Sequence, residues 1–314
     1  MIQTVTGTLE KAAMGKVLMH EHVSCASNDF VNAFGKKWLD REHLADYAAE
    51  VLCLAKKAYG LGLFVDGTPI DLGRDVALLK DTSLKSGVPI VASTGLYWFP
   101  SFEFDYNKEA EIAQWMIDEC VDGVYGTDVK PGIIKCAAGR FGMTDEVVKK
   151  HAAMGIVQKE TGLPVYVHCE HREDLAFSQL DALQKHGANA EKIIIGHCVL
   201  RPSAEYIMRI LDTGCYIAMD QCFCNKDKTA ELVQCLVTLC EKGYVNRILL
   251  SNDYCIHSDF KPHSANGLHM PPAEQAQELG DIFCRVFDAF CAQGGKLTHW
   301  QRMTEQNPLD VLDV

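Results

Sequence analysis

The sequence has no CxxC pair and no cluster of lysine and arginine, and each absence removes a class of function. Its 14 cysteines are scattered, with only Cys222 and Cys224 as close as a CxC, so a zinc ribbon or a thioredoxin-type site lacks its ligands. Dispersed thiols in a long chain without an export signal read as reduced and buried, not as a disulfide framework. A formal charge of −12 with no basic patch argues against a nucleic-acid surface, because phosphate binding needs clustered cations. No apolar stretch is long enough to span a bilayer, and the start MIQTVTGTLEKAAMGK lacks the basic segment and apolar run of a secretory signal. A soluble, cytoplasmic protein with no membrane or nucleic-acid partner is the expectation. Linkers, low-complexity segments and charge blocks are missing too, so one domain is expected over 1–314.

What is present is material for a large core, 48% hydrophobic against 23% charged, arranged in alternation. Short β-branched runs alternate with amphipathic stretches of helical length, the pattern of βα units around a parallel sheet. Eight strands are predicted: KVLMHEHV from Lys16, LFVDGT from Leu63, PIVASTG from Pro89, GIIKCAA from Gly132, PVYVHCE from Pro164, KIIIGHC from Lys192, CYIAMDQC from Cys215 and RILLSNDYC from Arg247. Helical segments such as REHLADYAAEVLCLAKKAY and TDEVVKKHAAMGIVQKE lie between them, with Gly87, Gly162 and Gly243 at helix ends. Eight units predict an α/β fold closed as a (β/α)8 TIM barrel.

The unusual polar residues fall at or near the C-terminal ends of these strands, where barrel enzymes place their chemistry. His20 and His22 are two apart on a strand and so project to one face, with Glu21 pointing away. An HxH alone is more often a surface or hydrogen-bonded core pair than a chelate. The balance shifts because His168 ends PVYVH, His197 ends KIIIGH and Asp253 ends RILLSND, each a polar group that a buried strand must satisfy at a cost of about 1–3 kcal/mol. Four imidazoles and a carboxylate suit zinc, manganese, iron or cobalt better than calcium or magnesium. Lys135, inside GIIKCAA, either snorkels out or pairs with Asp253, or it sits desolvated with a depressed pKa. A neutral amine there can capture carbon dioxide and become an anionic bridging ligand.

In order along the chain, TVTG, the HEH of the first strand, VDGT, STGLY, GIIKCAA, PVYVH, IIIGHC, IAMD, LLSNDYC and NPLDVL resemble the phosphotriesterase family of the amidohydrolase superfamily. The resemblance implies two divalent metal ions, zinc foremost. His20, His22 and Asp253 would hold the more buried ion and His168 and His197 the more exposed one. N-carboxylated Lys135 and a hydroxide would bridge them. Some relatives carry glutamate at the bridging position; this chain has lysine and so falls in the carbamate branch. The implied function is hydrolysis of a lactone or related carboxylic ester, with promiscuous phosphotriester hydrolysis. An amide or phosphoester hydrolase, or a barrel that binds a ligand without turnover, is the alternative. Asp253 would accept the proton of the attacking hydroxide, and a homodimer is a further implication.

Other positions keep two readings. Tyr97 either offers a phenol to a substrate oxygen or forms an aromatic wall with Trp98 and Phe99. Cys136, Cys169 and Cys198 each follow a proposed ligand and are expected to point outward into the helix layer. His171 is read as a loop or helix-start residue. Gln221 stands where many lactonases of the family have arginine and phosphotriesterases have histidine, which puts both specialised assignments in doubt. The segment from Cys255 to Pro272 is read as the eighth βα loop, in which Lys261, His263 and His269 either meet an anionic group or are solvated.

Overall fold

The computed structural model describes all residues except 12, 13, 173, 223, 260–267 and 269, and only the backbone at 105. A hairpin, β1 (Ile2–Thr4) and β2 (Gly7–Leu9), precedes ten parallel segments. These are β3 (Lys16–Cys25), β4 (Leu61–Asp66), β5 (Ile90–Val91), β6 (Ser93–Gly95), β7 (Ile133–Ala138), β8 (Val165–Cys169), β9 (Ile193–Ile195), β10 (Tyr216–Met219), β11 (Ile248–Leu250) and β12 (Tyr254–Ser258). One sheet runs β12-β3-β4-β5 and the other β6 through β11. Each sheet begins where the other stops, because β5 and β6 are one interrupted strand and β11 and β12 another. Followed through these interruptions, parallel pairing passes round eight strand positions, from Tyr254↔Glu21 to Phe64↔Ile90, then Ser93↔Ile133 onward to Ile217↔Ile248. The fold is a (β/α)8 barrel.

The second interruption has a specific cause. The Glu21 carboxylate accepts from Asn252 N at 2.8 Å, Tyr254 N at 2.7 Å and Ser251 Oγ at 2.7 Å, so a side chain takes amides that a ladder would otherwise use. Residues 251–253 therefore leave the sheet. The segment read as the eighth βα loop is correspondingly shorter, since Tyr254–Ser258 is strand; Lys261, His263 and His269 lie outside the described residues.

Period-2 alternation divides the core in two. Val17, Met19, Leu63, Val65, Ile133, Tyr166, Ile194, Ala218 and Leu249 fill the barrel interior. Leu18, Phe64, Ile134, Val167, Ile195 and Leu250 pack outward against the helices. Helix Arg41–Tyr59 shows how those helices are set: the Asp40 side chain accepts from His43 N, Gly60 closes it at φ 74°, and Leu44, Ala48, Val51, Leu52 and Ala55 form its buried stripe. Gly87, Gly162 and Gly243 sit at left-handed joints, with φ of 65°, 73° and 91°, where any other residue would be strained. At the N-terminal end of the barrel Ile2, Leu309, Val311 and Leu312 join the interior cluster, and Lys192 Nζ donates to Val311 O at 2.9 Å. The chain's two ends thus cover that mouth and leave the opposite one for chemistry.

Candidate metal centre

At the C-terminal mouth the six residues singled out from the sequence converge. His20 and His22 come from β3, Lys135 from β7 and His168 from β8, while His197 and Asp253 stand just beyond β9 and β11. His22 Nε2 lies 3.1 Å and His20 Nε2 3.4 Å from Asp253 Oδ1. Lys135 Nζ is 2.5 Å from His20 Nε2, and His197 Nε2 is 2.6 Å from His168 Nδ1. His197 Nδ1 is 3.9 Å from Asp253 Oδ2, which joins the two halves. His20, His22 and Asp253 have ligand atoms all within 4.8 Å of one another. Lys135 is 1% exposed, so it does not snorkel, and burial lowers its pKa from the ordinary lysine value. Burial, then the neighbouring Lys135, pushes His20 down to about 4; burial, then His197, holds His168 well below the usual imidazole range. These rings are neutral at pH 7, the form that offers a lone pair.

Two strand boundaries differ from the expectation. β9 stops at Ile195 and β11 at Leu250, so neither His197 nor Asp253 ends a strand. Simple alternation from the inward Ile194 would aim His197 out of the barrel. A left-handed backbone at His197, φ 60°, turns its imidazole into the mouth instead. His171, Gln221 and Asp253 share that conformation, with φ of 50°, 58° and 53°. Strained non-glycine backbone therefore follows β8, β9, β10 and β11, gathered where the polar cluster is built.

Asp220, unassigned in the sequence reading, organises the cluster from beneath. Fully buried, it accepts from His20 Nδ1 at 2.7 Å and Tyr166 Oη at 2.6 Å on one oxygen, and on the other from His197 N at 2.5 Å and His197 Nδ1 at 3.0 Å. Burial opposes its charge, yet the His197 and His20 rings hold its carboxyl far below the usual carboxylate range. With both Nδ1 atoms donating to Asp220, His20 and His197 present Nε2 to the mouth. Thr68 does the same for His22: its hydroxyl donates to Ser24 O at 3.4 Å and accepts from His22 Nδ1 at 2.8 Å. Such outer partners fix the tautomer and aim of metal-binding imidazoles. Gln221 Nε2 donates to Asp253 Oδ2 at 3.0 Å, so the unusual residue after IAMD steadies a carboxylate. The signal for Asp220 was a lone carboxylate closing an apolar strand, the same signal that singled out Asp253.

Tyr97 packs its ring 5.1 Å from that of Phe99, as an aromatic wall would, and its Oη lies 3.2 Å from His168 Nδ1. Cys136, Cys169 and Cys198 are buried in the outer core cluster, Cys136 and Cys169 by alternation within their strands and Cys198 because the left-handed turn at His197 precedes it. Beside the mouth lies a cleft of about 600 Å³, lined by Ile70, Leu96, Phe99, Phe102 and Trp115 among others and by none of the six converging residues.

His171 stands apart from the cluster. Its Nε2 donates to Gly196 O at 2.7 Å and its Nδ1 accepts from Tyr206 Oη at 3.1 Å. Burial lowers its pKa from 6.5 to about 4. Above pH 6.5 both folded and unfolded chains carry a neutral ring; below it the unfolded chain takes up a proton that the folded chain refuses until about pH 4. Stability is thus present above the unfolded value and lost as pH falls, by about 2 kcal/mol between pH 7 and pH 5. Urea unfolding at the two pH values should show this share missing from His171→Gln, whose amide still donates. Equal acid sensitivity in both proteins would reject the assignment.

The fold and this mouth define a barrel with histidine–aspartate groups able to hold metal ions at its C-terminal end. The chain belongs to the phosphotriesterase family, whose model matches residues 1–271. It is 30% identical over 261 residues to an aryldialkylphosphatase of Saccharolobus solfataricus, covering 81% of each chain. A phosphotriesterase homology protein of Mycobacterium tuberculosis is 26% identical over 281 residues, 86% of each chain. An N-acetyltaurine hydrolase of Bos taurus is 24% identical over 295 residues, 80% of this chain and 83% of the relative. The chain is therefore a hydrolase of a metal-dependent family. No helix among the described residues is long and apolar enough to cross a membrane.

Proposed function

We propose that this protein is a binuclear metal-dependent hydrolase acting on a lactone or related carboxylic ester, with weaker action on phosphotriesters. The observation that carries the reading is the convergence of four imidazoles and Asp253 with three of the rings held in one tautomer by Asp220 and Thr68. That donor set fits borderline divalent cations. His20, His22 and Asp253 would hold the inner ion, His168 and His197 the outer, and Lys135, carboxylated by carbon dioxide, would bridge. Two such cations, zinc foremost and manganese, iron or cobalt as alternatives, supply an activated water and Lewis-acid polarisation of the scissile oxygen.

The remaining steps belong to the chain. Asp253 takes up the proton that the attacking water gives up and passes it to the leaving group; Gln221 keeps its second oxygen fixed meanwhile. The Tyr97 hydroxyl, 3.2 Å from His168, donates to the substrate oxygen. Neutral substrates are favoured on the wall formed by Tyr97, Trp98 and Phe99.

Amide hydrolysis is the second reading, favoured by the similarity to N-acetyltaurine hydrolases across 80% of the chain. A screen of lactones, esters, amides and phosphotriesters on protein reconstituted with zinc or manganese separates the two. Lactones or esters should give the highest kcat/KM, with about two metals per chain and loss of turnover on chelation. Amides turning over fastest would select the second reading. Fewer than two metals with no turnover on any substrate would reject both.

A further inference from the structure

Two thiols stand beside the histidine–aspartate cluster and take no part in it. Cys25 ends β3 and Cys255 lies in β12, the strand paired with it, and the Cys255 thiol donates to Cys25 Sγ at 3.4 Å. Cys25 is buried and Cys255 half-buried. His22, the ladder partner of Cys255, completes a triad whose nitrogen and two sulfurs all lie within 4.8 Å of one another. Nothing in the hydrolytic scheme uses either sulfur.

A disulfide is not the natural product of this pair. Cys255 sits opposite His22, and Ser258 opposite Cys25, so the two cysteines are offset along the ladder and an S–S bond would draw the strand ends out of register. A cation between them asks for less. Tetrahedral coordination with metal–sulfur bonds of about 2.3 Å places two sulfurs about 3.8 Å apart, a few tenths of an ångström beyond the spacing already present. Two thiolates and an imidazole select soft d10 ions over the hard ions that oxygen ligands hold.

We propose that Cys25, Cys255 and His22 form a thiophilic cation site, for cadmium, mercury or excess zinc, that competes with the hydrolytic centre for the His22 imidazole. As the two thiolate–metal bonds form, each thiol releases its proton to solvent and no oxidation state changes. His22 has one nitrogen to give, because its Nδ1 is engaged by Thr68. Loading the sulfur site therefore withdraws a ligand from Asp253 and His20. The competition rests on the proposed role of His22 in the hydrolytic centre, whereas the sulfur site itself is independent of that role and of the bond cleaved.

Cadmium ions, added stepwise to the protein carrying its own metals, test both parts. Sulfur-to-cadmium charge-transfer absorption should grow to one equivalent per chain, cadmium NMR should report two sulfur ligands, and one equivalent of resident metal should leave. Cys25→Ser combined with Cys255→Ser should lack the absorption and keep its metals. Cadmium held only by nitrogen and oxygen overturns the site, a result readable on the wild-type protein alone. Absorption persisting in the double variant puts the ligation at other cysteines and also overturns it, as does recovery of Cys25 and Cys255 joined by a disulfide. Sulfur ligation lost in the double variant, with no metal released from the wild type, overturns the competition with the hydrolytic centre and leaves the hydrolase reading intact.

Discussion

Lys135→Ala is expected to abolish metal retention and lower turnover by about 10²-fold or more, a loss of at least about 3 kcal/mol of transition-state stabilisation. Lys135 is buried at the centre of the cluster, with its Nζ 2.5 Å from His20 Nε2. As an ammonium it would repel cations. As the neutral amine that burial favours, it can carry carbon dioxide and put an anionic ligand between them. Alanine removes that ligand and leaves a void. A short carboxylic acid in solution should refill it and restore part of the activity, and Lys135→Glu, which retains a carboxylate, should be milder than alanine. Metal analysis after dialysis, steady-state rates and circular dichroism distinguish this from simple unfolding. A folded Lys135→Ala protein with both metals and near-normal turnover would end the bridging assignment.

Asp220→Asn should be as damaging without touching any proposed ligand position. The change keeps the shape of the side chain but replaces an acceptor that serves His20, His197 and Tyr166 together with one that is half donor. One imidazole must then turn its other nitrogen to the mouth. Loss of such an outer partner costs about 10–100-fold in metal affinity. Breaking a buried charged network of this kind costs about 3–5 kcal/mol of stability. Competition with a chromophoric chelator measures the first and urea unfolding the second. Wild-type affinity together with wild-type stability would show that Asp220 does not set the tautomers.

The predicted consequences of alternation held wherever strands were straight. Val17 and Met19 point in and Leu18 out; continued past them, the count would turn His20 and His22 outward, and the register shift between Leu18 and Glu21 in the pairing of β3 with β4 brings both back to the mouth. Counting fails again at His197, where a left-handed turn reverses the direction that it gives. A non-glycine residue adopts that backbone only when its surroundings compel it. Here His197 N and Nδ1 both donate to Asp220, just beyond the end of neighbouring β10, a partner that local sequence does not identify. Glu21 teaches the same lesson. It points away from the barrel axis as expected, but its target, the amides of residues 252 and 254, is far along the chain and explains why the eighth strand is broken.

Local sequence sets the number of βα units and the identities of all six converging side chains, each within or shortly after an apolar strand. Those follow from local periodicity and from the cost of leaving a polar group unsatisfied in an apolar strand, which any short window reveals. Long-range contacts settle which nitrogen each of His20, His22 and His197 presents, which carboxylate holds two rings at once, and that Cys25 and Cys255 meet. These depend on partners such as Asp220, Thr68 and β12, brought within hydrogen-bonding distance by barrel closure. A hydrogen bond is decided at tenths of an ångström, and Tyr254 N and the Glu21 carboxylate that it donates to are 233 positions apart in sequence.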